Sequence, residues 1–292
     1  RSINRLPVPK LNFKNEGVKK FFIVIFPAIL AGGIIQINLL IDTIFASLLE
    51  TGSPTWLYVS DRLVQFPMGI FAIGIGTVLL PTLSKLDVIG ERQIFINTLQ
   101  KGQRFVLFIG IPSLIGLMFC AEDIISAIFY RGEFTELDVF KSSYSLIAFS
   151  FGLPFFMLMK VLTPAFFAQK NTKTPMYVAI LSLLLNAALN YILAFVYGFG
   201  HVGIAIGSSI SALISVFILE IILYKDGFIE IKSIFNRFNL MVLISSTSLI
   251  IFLYFYTSWI NFMELNQIER IFYLLAEIII SIIIYFSVAR FI

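Results

Sequence analysis

HVGIAIGSSISALISVFILEIILY, residues 201–224, is apolar on all sides apart from scattered small and polar residues. About 20 such residues, coiled as a helix, cross the roughly 30 Å hydrocarbon core of a bilayer. A water-exposed helix would instead carry a polar stripe along one face. Reading outward from this stretch, further apolar runs lie between polar breaks near 20–49, 55–83, 103–120, 142–167, 175–197, 239–258 and 269–290. The fold class is therefore an all-α integral membrane protein of about eight transmembrane helices.

Composition agrees. The 292 residues are 59% hydrophobic and 13% charged, where a soluble domain carries roughly 25% charged residues. A single cysteine, Cys120, and a single histidine, His201, exclude an internal disulfide, a thiolate cluster and a zinc triad. Metalloprotease, serine-hydrolase and phosphate-loop signatures are absent, so neither an enzyme nor an internal ATP-driven pump is expected. Arg1 to Lys20 is basic and polar with no signal-peptide core, and reads as a cut or mature start.

Short connections such as 50–54 and 169–175 make successive helices antiparallel neighbours. Longer polar links are expected only around 84–102, 225–238 and 259–268, the second of which separates six helices from a last pair. Basic residues mark alternate loops. Arg1, Arg5, Lys10, Lys14, Lys19 and Lys20 precede the first span, Lys85, Arg92, Lys101 and Arg104 follow the second, Lys170 and Lys173 the fourth, and Lys225, Lys232 and Arg237 the sixth. The opposite loops hold Arg131, Lys141 and Arg270. Because cytoplasmic loops retain Lys and Arg, both termini are placed in the cytoplasm. The same pattern accounts for most of the net charge of +4 without a nucleic-acid partner.

Charged side chains deep in a bilayer cost about 2.5–3.5 kcal/mol on insertion scales and so face a partner, a cavity or a substrate. The candidates are Asp42, Asp61, Arg62, Lys160 and Glu277. Asp61 and Gln65 stand one helical turn apart with Arg62 beside them, ahead of Pro67 and of Gly69, Gly74 and Gly76, which permit a bend or a close backbone approach. Arginine in a wet cavity suits a phosphate or pyrophosphate, which its planar fork binds bidentately. A structural Asp61–Arg62 pair at the membrane edge is the alternative. Lys160 lies near enough a helix end to snorkel, and Glu277 would pair with a neighbour or face an absent partner.

Oxygen donors collect on three further helices. Asn38 and Asp42 are spaced i,i+4, Ser182, Asn186 and Asn190 form a stripe, and Ser208, Ser211 and Ser215 follow. Such a set would hold a small hard cation such as Na⁺. Hydrogen bonding between helices is the other reading, and Gly203 with Gly207 marks close helix packing.

The run from Asp61 through Gly69 into 74–84, together with 41–47, 129–135, 160–167 and 173–175, resembles in order and spacing the MurJ (MviN) family of lipid II flippases. The resemblance covers most of residues 10–225. It implies an exporter fold of the multidrug/oligosaccharidyl-lipid/polysaccharide class. Residues 1–18 would be a cytoplasmic linker, 19–226 the C-terminal six-helix lobe, and 227–292 a linker with two additional helices bordering a groove for the lipid tail.

An N-terminal six-helix lobe would be missing. The implied activity is translocation of lipid II across the bacterial inner membrane by alternating access between two lobes. Arg62 would contact pyrophosphate, with Asp61, Gln65 and Lys160 lining the cavity; Gln65 stands where the family often has Glu. The family's sodium site falls on Asp42, Asn186, Asn190, the Ile204 carbonyl and Ser208, with Asn190 in place of Asp and Ser208 in place of Thr. A single carboxylate weakens such a site. Rival readings are an exporter of drugs or other polyprenyl-linked glycans, and a non-transporting membrane scaffold or degenerate half-protein.

Overall fold

A computed structural model describes residues 16–229 and 237–291. Most of the 1–18 linker, its basic residues Arg1, Arg5, Lys10 and Lys14, and Lys232 lie outside the described residues. Among those described there are ten α-helices and no strand. They are α1 (Glu16–Ser47), α2 (Ser53–Pro67), α3 (Gly74–Ile89), α4 (Arg92–Phe119), α5 (Ala121–Phe129), α6 (Glu136–Ala168), α7 (Lys173–Tyr191), α8 (Gly200–Lys225), α9 (Arg237–Trp259) and α10 (Gln267–Phe291).

Wide π-helical turns join α2 to α3 at Met68–Ile73 and extend α7 through Ile192–Val196. Among the described residues eight stretches are long and apolar enough to cross a membrane, with α2, the π turn and α3 forming one of 37 residues. The helical class follows from the solvent: lipid offers no hydrogen bonds, so backbone groups must pair within their own segment.

The helices are longer than the apolar runs that reveal them. The polar link expected at 84–102 is helix on both sides of a turn at Gly90 and Glu91, since α3 ends at Ile89 and α4 begins at Arg92. The first helix likewise starts inside the expected linker, at Glu16. Hydropathy locates the lipid boundary, whereas a helix continues into water as long as its backbone bonds hold. At 1.5 Å per residue the 37-residue span is about 55 Å long. The loop after α4 also contains an unforeseen short helix, α5, and Arg270 lies in the first turn of α10, buried, rather than in a loop.

Two helices form the centre: 61% of the apolar windows of α6 and of α8 is buried, against 22–28% for α2–α3, α4, α7 and α9. Leu146, Leu153, Met157, Val161, Leu162 and Phe166 of α6 are wholly buried among α2, α3, α4 and α8. Since lipid is as apolar as leucine, close packing and interhelical hydrogen bonds hold such a bundle together. Ser60 Oγ donates to the Ser142 carbonyl at 2.7 Å, and Ser209 Oγ to the Ala148 carbonyl at 2.8 Å. The expected backbone approach near Pro67 occurs at Gly76, where a Cβ would stand 2.8 Å from the Lys160 carbonyl; Gly69 and Gly74 have nothing within 4 Å. Gly203 and Gly207 seat α8 against the end of α7, as their spacing indicates.

The last pair packs on the outside of this bundle. α9 lies on α4, and α10 lies on α9 and α5. Ile115, Leu249, Leu253 and Tyr285 make a separate small core there, and the Tyr285 hydroxyl donates to the Phe108 carbonyl at 2.9 Å. Arg270 donates to the carbonyls of Phe262 and Met263 at 2.8 and 3.0 Å and covers the Tyr130 ring, which fixes the turn between α9 and α10.

Replacing Gly76 by Val forces a side chain against backbone that cannot yield, so a destabilisation of about 1–3 kcal/mol is expected. Thermal unfolding in detergent should show a lowered midpoint for Gly76→Val, with Gly69→Ala close to the parent.

Candidate functional site

A cleft of about 600 Å³ runs between α1, α2, α6, α7 and α8. Asp42, Asp61, Arg62, Gln65, Lys160, Ile204 and Ser208 all line it, so members of both groups singled out in the sequence meet at one cavity, whereas Asn186 and Asn190 are fully buried outside its lining.

On α2 the i,i+4 spacing brings Gln65 beside Asp61, and the Gln65 amide donates to Asp61 Oδ2. Arg62 Nη1 donates in turn to Gln65 Oε1 at 3.3 Å. A direct Asp61–Arg62 ion pair does not form: among the described residues the one salt bridge is Lys141–Glu50, at 2.9 Å. Gln65 thus joins carboxylate and guanidinium by accepting from one and donating to the other, which a glutamate could not do while ionised. The Arg62 guanidinium lies 4.8 Å from the centre of the Tyr58 ring, exposed to the cleft. A cation over an aromatic face is held without using its N–H donors. Pro67, which cannot donate a backbone bond, ends α2 and is followed by the π turn.

The second group closes around Asp42. The Asn190 amide donates both to Asp42 Oδ1 and, at 2.9 Å, to Asn186 Oδ1. Asn186 donates to Ser208 Oγ at 2.9 Å, and Ser208 Oγ reaches Asp42 Oδ2 at 3.5 Å. Ile204 sits one turn before Ser208 on α8, fully buried. The stripe on α7 therefore does bring α1 and α8 together, with Ser182 lining the cleft farther along. Two amide oxygens are left over: Asn190 Oδ1 and, one turn before Asp42 on α1, Asn38 Oδ1 are buried without a partner. No group of three or more His, Cys, Asp or Glu side chains suited to a metal occurs among the described residues, so an ion here would meet one carboxylate and otherwise neutral oxygens.

Lys160 lines the cleft from α6, where Gly76 packs under its carbonyl. Glu277 is remote from the cleft. It is fully buried and accepts the Cys120 thiol at 3.1 Å.

Sequence reasoning missed a polar tie at one end of the bundle. Trp56 Nε1 donates to Asp138 Oδ1 at 2.7 Å, while Asp138 also caps α6 with Thr135. The Lys141–Glu50 bridge lies alongside, and His201 Nε2 is 3.0 Å from the Lys141 carbonyl with its ring against Trp56. The first turns of α2, α6 and α8 are thereby joined. The Thr-x-x-Asp spacing at 135–138 is the only local signal for any of this.

A family model described as lipid II flippase MurJ matches residues 1–273. A probable lipid II flippase MurJ of Vibrio cholerae serotype O1 is 44% identical over 219 residues, 75% of this chain and 41% of that protein. A probable lipid II flippase MurJ of Haemophilus influenzae is 36% identical over 284 residues, 95% of this chain and 55% of that protein. A solved structure of lipid II flippase MurJ in an inward closed conformation superposes with a TM-score of 0.74 at 29% identity, over 96% of this chain and 56% of that one. An outward-facing multidrug resistance MATE family transporter of the MOP superfamily shares the fold, with a TM-score of 0.63 at 17% identity. The chain spans about half the length of the relatives it matches. Eight membrane-crossing helices, a cleft with an arginine on α2, and a family match along nearly the whole chain lead to one assignment: the chain belongs to the lipid II flippase MurJ family.

Proposed function

We propose that the chain supplies the C-terminal lobe of a lipid II flippase in the bacterial inner membrane, with residues 19–226 as a six-helix lobe and 227–292 adding two helices. It carries lipid-linked peptidoglycan precursor across the membrane by alternating access against a second, N-terminal lobe facing the cleft. No covalent chemistry is involved. Arg62 carries this reading: it stands in the cleft, over Tyr58, with one donor on Gln65 and no carboxylate bonded to its fork. A pyrophosphate entering the cleft would meet a guanidinium already oriented, so little side-chain entropy is lost on binding.

Gln65 relays the negative charge of Asp61 through a neutral amide, which keeps the carboxylate from competing with the substrate for the arginine. Lys160 adds a second cation to the same cleft. An even number of candidate spans is consistent with both termini on one side, and the basic residues Lys85 and Arg92 beside the α3–α4 turn support the cytoplasmic assignment.

The orphaned Asn190 oxygen supports a Na⁺ site at Asp42, Asn186, Asn190, the Ile204 carbonyl and Ser208. A bound ion would supply positive charge beside Asp42 and satisfy that oxygen. The chain's own contribution is a ring of hydrogen bonds that holds α1, α7 and α8 in register.

With its companion lobe present, Arg62→Ala should abolish rescue of a flippase-depleted strain at normal membrane levels, and Arg62→Lys should rescue partly because charge without the fork remains. Unimpaired growth with Arg62→Ala would remove the pyrophosphate role. For the ion, replacing K⁺ by Na⁺ should raise the parent's unfolding temperature. Asp42→Ala should lose that rise and Asn190→Asp enlarge it; a parent indifferent to Na⁺ excludes the site.

A further inference from the structure

A second set of ionisable groups lies away from the cleft, where the α9–α10 pair meets the ends of α4 and α5. Glu277 of α10 is 0% exposed. Its Oε1 accepts the Cys120 thiol at 3.1 Å, and its Oε2 has no hydrogen-bond partner. Asp123 of α5 is 8% exposed, and its Oδ2 is likewise without a partner. The two carboxyl groups are close enough to act on each other electrostatically.

The other groups facing them are Cys120 from the α4–α5 bend, Glu122 next to Asp123, and Tyr256 from α9, whose hydroxyl donates to the Tyr273 carbonyl at 2.9 Å. None is a cation. Arg270, on the same helix as Glu277, gives its guanidinium to the carbonyls of Phe262 and Met263. Among the described residues no salt bridge reaches either carboxyl group.

Two neighbouring carboxylates buried without a counter-charge repel each other and forgo their hydration, and the least costly remedy is for one to stay neutral. Each also offers an oxygen that lacks a donor, and a proton is the ligand that supplies one. A metal ion is a poorer fit, since the third member is a thiol that donates and the group does not form a metal-binding set of three. We propose that Asp123 and Glu277 form a proton-binding site that fastens the α9–α10 pair to the rest of the bundle.

With the proton bound, the interface between α5 and α10 is neutral and closes tightly. When it leaves, two like charges face each other across that interface. Asp123, which lies outside the membrane-spanning segments, is pushed from the ordinary 3.8 up to about 8, by burial first and by Glu277 and Glu122 next. An acid raised in this way holds a proton when folded that it releases on unfolding. Its stabilising contribution is therefore complete below about pH 4 and disappears as pH rises through about 8.

The test is thermal unfolding of the purified chain in detergent across about pH 5 to 9, with infrared difference spectra over the same range. The parent's midpoint should fall by several degrees toward alkaline pH. Glu277→Gln and Asp123→Asn should each flatten that slope and be at least as stable as the parent at the alkaline end. The parent's spectra should show a protonated carboxyl band that disappears on alkalinisation and is missing from Glu277→Gln. A slope unchanged in both variants, no protonated carboxyl band at neutral pH, or rescue of alkaline stability by added Na⁺ or Mg²⁺ would each overturn the proposal.

Discussion

A lipid core offers a polar group nothing to bond with, and most of what is distinctive here follows from that constraint. Backbone groups meet it by coiling, which makes every span a helix. Side chains meet it by finding one another: Ser60 with the Ser142 carbonyl, Ser209 with the Ala148 carbonyl, and Asn186, Asn190 and Ser208 around Asp42. Some polar atoms stay unmatched, among them Asn190 Oδ1, Asp123 Oδ2 and Glu277 Oε2. The cleft differs because it is open. Arg62 is held there by an aromatic ring and a neutral amide, with no carboxylate bonded to its guanidinium.

The number of spans was legible in the sequence because apolar runs of bilayer length have few other uses. Their ends were not, because apolarity stops at the lipid surface and helix does not: Lys85, Asp87 and Arg92 ride on helix in the region read as a long loop. The cleft residues were legible for the opposite reason to the core. Asp42, Asp61 and Arg62 stand out against their surroundings, and i,i+4 spacing places partners such as Gln65 and Asn186 without any knowledge of the fold.

Contacts between distant segments left no such trace. Trp56 and Asp138 are 82 positions apart, and Cys120 and Glu277 are 157 apart. Asp123 carries no sequence signal of its burial on α5, and Arg270 reads as a loop cation although two carbonyls close over it. The role of Gln65 was also hidden. Read alone, it is a glutamate that has lost its charge; in place, it is the amide that connects Asp61 to Arg62.

The continuous helix from Ser53 to Ile89 is nearly twice as long as a hydrocarbon core is thick. Its length exceeds the hydrocarbon core at both ends, and the helix carries on through the π turn although Pro67 and Pro81 bring no backbone donor. A thinner or thicker bilayer then changes chiefly which turn sits at the boundary. Hydrophobic mismatch, which tilts or distorts a span cut to bilayer length, has little purchase on this helix. Its inclination is set by its seat on α6, and so the arginine's position in the cleft is insulated from the thickness of the membrane around it.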